Sequence, residues 1–328
     1  MSTRTDIVLR PHRPADVPEF VRIVNAANEA DGIGERTSVP NLTNWLLTKR
    51  GAFDPETDIT VATVGDEIAG YGFLDWTDTT DGLREYRSRG HVAPAWRRQG
   101  IGTAILARNE ARAREMAAGY EGGRQLVYAS WAAERRTGAI FLLTRNGYEP
   151  IRYFFDMVRP DLERIDVPPL PEGIEIRPIN DEAGYRKHWE ADIEAFQDHW
   201  GGFDASEESY QQWKADPDFD PSLFVIGWDG DQNAGSVVNE INEAENAALG
   251  RRRGLLAGVF VRRPWRRRGL ASALVARSLV LLRERGMTSA WLGVDADNPT
   301  GALGIYERAG FGIDMRSTAY RKPLVLDR

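Results

Sequence analysis

The stretch "RRPWRRRGLASA" (Arg262–Ala273) sets five arginines within seven residues, followed by a glycine and a run of small and apolar residues. Read as charge, it is a basic patch of the kind that neutralises nucleic-acid phosphates. Read as a turn that opens a helix, it holds one phosphate-rich ligand. A second copy decides between them. "APAWRRQGIGTA" (Ala93–Ala104) keeps the tryptophan, the pair Arg97–Arg98 opposite Arg266–Arg267, and Gly100 opposite Gly269, and drops the other arginines. The shared feature is a turn, not a charge count. Backbone N–H groups in the first turn of a helix lack partners, and the helix dipole adds positive potential there. A glycine lets a bulky anion approach that backbone closely. Together these make a pyrophosphate cradle.

The copying extends along the chain. "IVLRPHRPAD" near the start is similar to "IEIRPINDEA" from Ile174, and "TGAIFLLTRNGYE" (Thr137–Glu149) to "TGALGIYERAGFG" (Thr300–Gly312). Arg10 to Arg177, Gly100 to Gly269 and Gly147 to Gly310 keep nearly one offset, about 163–169 residues, in the same order, as a duplicated domain would. The length of 328 residues also suggests two domains. Four prolines between 160 and 171 mark an extended linker. The expected organisation is a first domain over 1–160, a Pro-rich linker over 161–172 and a second domain over 173–328.

Each repeat reads as a short strand ending in Arg-Pro, helical segments, two strands around a turn, a strand into the arginine turn, a helix, a strand, a short helix and a last strand. Gly65-Asp66 and Asp229-Gly230 give the hairpin turns. Leu270, Leu274, Val275 and Val280 form the apolar face of the helix, which ends at Gly286. The fold class is α/β, in detail α+β with a mixed sheet.

Arg-x-x-Gly-x-Ala (Arg266, Gly269, Ala271) and Arg-x-x-Gly-x-Gly (Arg97, Gly100, Gly102), each followed about 40–50 residues on by "YERAGF" or its relic, resemble the acetyl-CoA signature of the GNAT superfamily of N-acetyltransferases. The resemblance covers both halves and is to the tandem two-domain type represented by mycothiol synthase. It implies two GNAT-like acyl-CoA N-acyltransferase domains with acetyl-CoA as co-substrate. Arg266, Arg267, Arg268, Gly269, Leu270 and Ala271 would hold its phosphates, and Arg97, Arg98, Gln99, Gly100, Ile101 and Gly102 form the copied cradle. It also implies that Val259, Phe260 and Val261 pair through their backbone with the pantetheine arm. Asn298 would lie near that arm, although its place before Pro299 also reads as a helix cap.

In the same family a tyrosine protonates the departing thiolate. Tyr306 stands at that position, and a phenol of pKa about 10 holds its proton at neutral pH. The first repeat has Leu143 and Arg135 opposite Tyr306 and Asn298. The second domain is therefore expected to be catalytic and the first degenerate. Mycothiol synthase-like members carry a glutamate on the strand before the turn, where this chain has Leu255 and Leu256. Glu240, with Glu243 and Glu245 nearby, is the substitute base, and a solvated acidic loop is the competing reading. Asp198, His199 and Trp200, with Glu243, are the acceptor-site candidates: a histidine beside an aspartate titrates in a useful range, and an indole face walls a cation.

The bulk properties narrow the rest. The net charge of −7 argues against a dedicated nucleic-acid binder. Without cysteine there is no thiolate zinc site or cysteine nucleophile, and four histidines make a metal site unexpected. No apolar run approaches the ~20 residues of a membrane span, and the N-terminus lacks a signal-peptide core. The expectation is a cytoplasmic monomer or homodimer that acetylates a primary amine of a small molecule by direct attack in a ternary complex, with no nucleic-acid or membrane partner. The competing class is a non-catalytic acyl-CoA-binding module. Mycothiol synthase-like and aminoglycoside-acetylating enzymes are the narrower alternatives.

Overall fold

A computed structural model describes residues 6–49, 53–197, 200, 205–297 and 301–326. In chain order the first repeat forms β1 (Ile7–Pro11), α1 (Val17–Ala30), α2 (Val39–Leu47), α3 (Pro55–Asp58), β2 (Ile59–Val64), β3 (Glu67–Asp78), β4 (Leu83–Val92), α4 (Ile101–Ala118), β5 (Gln125–Ala133), α5 (Thr137–Arg145) and β6 (Glu149–Arg159). The second forms β7 (Ile174–Ile176), α6 (Glu182–Phe196), α7 (Glu207–Lys214), β8 (Val225–Asp229), β9 (Gln232–Glu240), α8 (Glu243–Leu249), β10 (Arg253–Val261), α9 (Leu270–Glu284), β11 (Ser289–Asp295), α10 (Ala302–Arg308) and β12 (Gly312–Pro323). The two hairpin glycines adopt the left-handed φ that their turns need, +57° at Gly65 and +55° at Gly230. The acidic stretch after β9 is a helix instead of a loop: the Asn242 side chain accepts from the Glu245 N–H and starts α8.

The compact units do not follow the repeats. Unit 1 comprises 1–152, 200–217 and 318–328; unit 2 comprises 153–199 and 218–317. The sheet of unit 1 runs β1-β2-β3-β4-β5 and is continued by the end of β12. Its pairs are antiparallel except β4–β5, which is parallel. Tyr320 and Leu324 sit in its core with Tyr86, Tyr128 and Tyr148, and the Leu324 N–H donates to the Leu126 carbonyl at 3.0 Å. Arg321 anchors the segment on Glu85 and Asp81, at 2.7 Å each.

Unit 2 has the order β7-β8-β9-β10-β11-β6, with β10–β11 parallel. Here β6, from the first repeat, pairs antiparallel with β11 from Asp295↔Phe154 to Ala290↔Arg159. Met157 of β6 is fully buried in a core built on Leu270, Leu274 and Leu279 of α9. Leu270, Leu274 and Val275 of the apolar run read from the sequence lie on the inner face of α9, where Leu279 and Leu282 are buried and Val280 is only half-buried. The stretch between the repeats is extended but not a free spacer. Leu162 is buried in the unit 2 core, and Arg277 of α9 donates to the Pro168 carbonyl at 2.9 Å.

Candidate active site

The two arginine turns have nearly the same backbone. A single 3-10 turn (Pro94–Trp96; Arg263–Trp265) leads to an extended arginine, Arg97 at φ −67°, ψ 155° and Arg266 at φ −66°, ψ 156°. The next residue is left-handed, Arg98 at φ +64° and Arg267 at φ +62°. Among the described residues these are the only non-glycine positions with positive φ, a conformation that costs roughly 1–2 kcal/mol for an L residue. Such strain concentrates at ligand clamps. Gly100 (φ +93°) and Gly269 (φ +83°) then cap α4 and α9 with no capping side chain, so the first-turn N–H groups are left for an anion. A Cβ built on Gly269 would meet nothing within 4 Å, so the approach to this backbone is open.

The strand before the second turn splays from its neighbour. The β10–β11 ladder runs only from Arg253↔Ser289 to Leu255↔Trp291. On its other edge β10 passes a bulge between Leu256 and Gly258 and stays paired with β9 up to Val261↔Gly235. The edge from Ala257 to Val261, on the β11 side, therefore carries no ladder and ends at the turn. An extended arm with amide groups can pair there as a strand would. The neighbouring helix α10 holds Tyr306, buried in the unit 2 core with its ring 6.1 Å from that of Phe311. Burial pushes its phenol up to about 12.

A splayed parallel pair leading into an anion turn, made twice in one chain, invites comparison with known proteins. The Acetyltransferase (GNAT) family matches residues 186–311 and an Acetyltransferase (GNAT) domain matches 55–150. Mycothiol acetyltransferase of Salinispora tropica is 30% identical over 94% of this chain and 92% of its own length. The chain belongs to the GNAT acetyltransferase family. Mycothiol acetyltransferase of Geodermatophilus obscurus is 28% identical over 94% of this chain and 95% of its own. A GCN5-related N-acetyltransferase from Sphaerobacter thermophilus has the same fold, with TM-score 0.71, 26% identity, and 97% of this chain and 95% of that chain covered. A tandem GNAT protein from the clavulanic acid biosynthesis pathway superposes with TM-score 0.70 at 18% identity, over 98% of this chain and all of that one. The expected α/β fold with two GNAT domains is met, and the protein is an N-acetyltransferase.

Within this GNAT framework the arginine side chains make contacts inside the protein. Arg266 bends back, with Nε donating to the Val261 carbonyl at 2.9 Å and Nη2 to the Ala195 carbonyl at 3.5 Å. Arg268 Nη2 donates to the Glu172 carbonyl at 3.0 Å. Both guanidiniums thus bond to backbone carbonyls around the turn. In the first turn Arg97 is clamped on Asp31 at 2.7 and 2.9 Å, and Gln99 donates to the Ala95 carbonyl.

The first-repeat mouth is bridged by its own side chains. The β4–β5 ladder ends at Arg87↔Ala129, and Ser130 Oγ then donates to the Ser88 carbonyl at 2.8 Å. Arg136, just past β5, donates to Asn28 Oδ1 at 2.6 Å, and Arg135 to the Gly32 carbonyl at 2.8 Å. With Arg97 on Asp31, three arginines tie the β4 and β5 ends to α1 and the loop behind it. Burial, with Arg136 and Arg97 nearby, pushes the His91 imidazole down to about 3, so it is neutral. Leu143, opposite Tyr306, is buried.

The remaining sequence candidates scatter. Asp198, His199 and Asn298 lie outside the described residues. Trp200 groups with unit 1, its ring centroid 6.3 Å from that of Trp131, with the guanidiniums of Arg321 and Arg152 at 4.8 and 5.5 Å. The cations over its aromatic face are this protein's own. Glu245 pairs with Arg251 at 2.7 Å, and Glu243 is exposed on the first turn of α8. Glu240 ends β9 opposite Leu255, where the β10–β11 ladder stops.

The sequence reading passed over Asp192. It lies on α6, whose Ala191 and Ala195 pack on Phe260 of β10. Burial pushes its carboxyl up to about 7. The signal was in the repeat: with the buried Phe20, Ile23 and Ala27 of α1 aligned on His188, Ala191 and Ala195 of α6, the residue matching Asp192 is the apolar Val24.

Proposed function

We propose that unit 2 transfers the acetyl group of acetyl-CoA to a primary amine of a small molecule by direct attack, and that the first repeat holds no acetyl-CoA. The observation that carries this reading is the unladdered edge Ala257–Val261 running into the uncapped start of α9. In this reading Val259, Phe260 and Val261 present backbone groups to the pantetheine amides. Arg267, Gly269, Leu270 and Ala271 present the turn to the pyrophosphate, with Arg266 and Arg268 holding its shape. A small-molecule acceptor agrees with the names of the mycothiol acetyltransferase relatives.

Tyr306 is the proposed donor to the leaving sulfur. Its phenol near 12 keeps its proton throughout the working range. Full transfer to a thiolate whose thiol has pKa about 8.5 is uphill by about 5 kcal/mol. The role that fits is a hydrogen bond that strengthens as charge grows on sulfur, with the proton following late. Loss of one such donor costs roughly 10²–10³ in kcat. The test is thiol release from acetyl-CoA against a panel of primary amines, wild type beside Tyr306→Phe. Amine-dependent release that drops about a hundredfold or more in the variant, with unchanged acetyl-CoA affinity, supports the reading. Absence of amine-dependent release from the wild type would leave a binding module.

A further inference from the structure

We propose that Asp192 receives the proton of the acceptor ammonium and so makes the amine nucleophilic, a role that rests on the acetyl-transfer reading of unit 2. The helix α6 lies on β9 and β10, with Ala191 and Ala195 against Phe260. Its end abuts the cofactor turn, since the Ala195 carbonyl accepts from Arg266. Asp192 is three residues earlier, about one helical turn or 5 Å away along the axis. Three other polar side chains on this part of α6 have partners, and Glu190 is exposed. His188 Nδ1 is 3.2 Å from Asn233 Nδ2, Glu194 pairs with Arg262 at 2.6 Å, and Lys187 donates to the Asp231 carbonyl at 3.0 Å. Asp192 has no hydrogen bond or ion pair with a described residue.

The duplicated helix shows that a carboxylate is not needed here for folding. Val24 occupies the matching place on α1, where the buried Phe20, Ile23 and Ala27 align with His188, Ala191 and Ala195. A half-buried carboxylate without a partner is costly, and such groups gather where ligands bind. The nearby guanidiniums are engaged elsewhere: Arg262 on Glu194, and Arg266 on the carbonyls of Val261 and Ala195. A cationic amine would meet an uncompensated negative site.

The proton balance closes. The acceptor enters as an ammonium and gives one proton to Asp192. Its nitrogen lone pair attacks the thioester carbonyl carbon, and the carbon–sulfur bond breaks as the new carbon–nitrogen bond forms. The nitrogen loses a second proton. Of the two, one ends on the CoA sulfur, matching the proton that Tyr306 donates, and one passes from Asp192 to solvent.

The experiment compares wild type, Asp192→Asn and the exposed control Glu190→Gln in the thiol-release assay, using whichever of glucosamine, lysine methyl ester and tyramine the wild type turns over fastest. Acetyl-CoA affinity is followed by calorimetry. The expected result for Asp192→Asn is a fall of about 10²–10⁴ in kcat/KM for the amine at pH 7. The deficit shrinks above the amine's own pKa, where the nucleophile arrives neutral, while acetyl-CoA affinity stays within about twofold. Glu190→Gln matches wild type. Undiminished turnover in Asp192→Asn, a deficit that does not depend on pH, or a parallel loss of acetyl-CoA affinity would overturn the assignment. A wild type silent with all three amines sinks the underlying reading instead.

Discussion

Replacing each turn glycine by alanine separates a shared backbone from a shared function. Gly269 and Gly100 both sit at left-handed φ, +83° and +93°. A Cβ at Gly269 meets nothing within 4 Å, and at Gly100 it meets only Ile7 Cδ1, at 3.7 Å, an ordinary contact. Steric overlap therefore adds nothing, and the cost in each case is the left-handed penalty of roughly 1–2 kcal/mol. Gly100→Ala, in a turn tied down by Arg97 on Asp31, should lose about that much stability in thermal or urea unfolding. In Gly269→Ala the empty turn relaxes, and the ligand must pull it back. The same 1–2 kcal/mol then appears as an acetyl-CoA Kd raised about 5–30-fold. In Gly100→Ala the Kd should be unchanged, because Arg97, Arg135 and Arg136 already close that mouth. Calorimetry reads both the affinity and the stoichiometry, expected to be one per chain. Equal weakening by the two variants, or two equivalents bound to the wild type, would refute the single-site reasoning.

Two further outcomes follow from titrations. Since the Tyr306 phenol lies near 12, its ionisation should place no falling limb on kcat below pH 10, which a pH profile with a high-pKa amine checks. The Asp192 carboxyl is held near 7, against about 3.9 in an unfolded chain, so the folded state binds the extra proton between those values. Stability at this site is then greatest below about pH 4 and is lost as pH rises toward 7. Asp192→Asn removes that loss. It should raise the unfolding free energy at pH 8, with a ceiling of about 4 kcal/mol, and leave it nearly unchanged at pH 4. Equal gains at both pH values would show that the effect is packing.

The fold was legible because the signals were local and doubled. Glycine after a strand, a helix-period apolar run and hairpin dipeptides each depend on nearby residues, and the repeat raised each from a weak motif to a strong one. What escaped was long-range. No local pattern says that β6 pairs with β11 or that Tyr320 belongs to the unit 1 core, since strand partners are chosen by the whole sheet. The arginine side-chain partners were hidden for a related reason. Charge is visible in a sequence, but carbonyl acceptors are not, and Arg266 and Arg268 are directed by backbone carbonyls. Asp192 was hidden inside an amphipathic helix, where one acidic residue among several carries no signal. Only its apolar counterpart Val24 sets it apart.

The exchange of end strands gives a structural reason for keeping a copy without a counterpart of Tyr306. β6 comes from the first repeat, yet it covers β11 and places Met157 in the same core as Tyr306. A fragment cut at the proline-rich stretch, residues 173–317, would leave the β11 edge from Ala290 to Asp295 without its ladder and remove Met157 and Leu162 from the core. Deleting a single large buried side chain to a methyl costs 2–5 kcal/mol, and small domains are stable by only 5–15 kcal/mol. The fragment should therefore be unfolded or nearly so. A fragment starting at Tyr153 and ending at Ser317 restores both side chains and the ladder, so it should show cooperative unfolding and bind acetyl-CoA. Circular dichroism and calorimetry on the two fragments decide the matter. If 173–317 alone bound acetyl-CoA as tightly as the full chain, the first repeat would have no part in building the site, and its retention would need another cause.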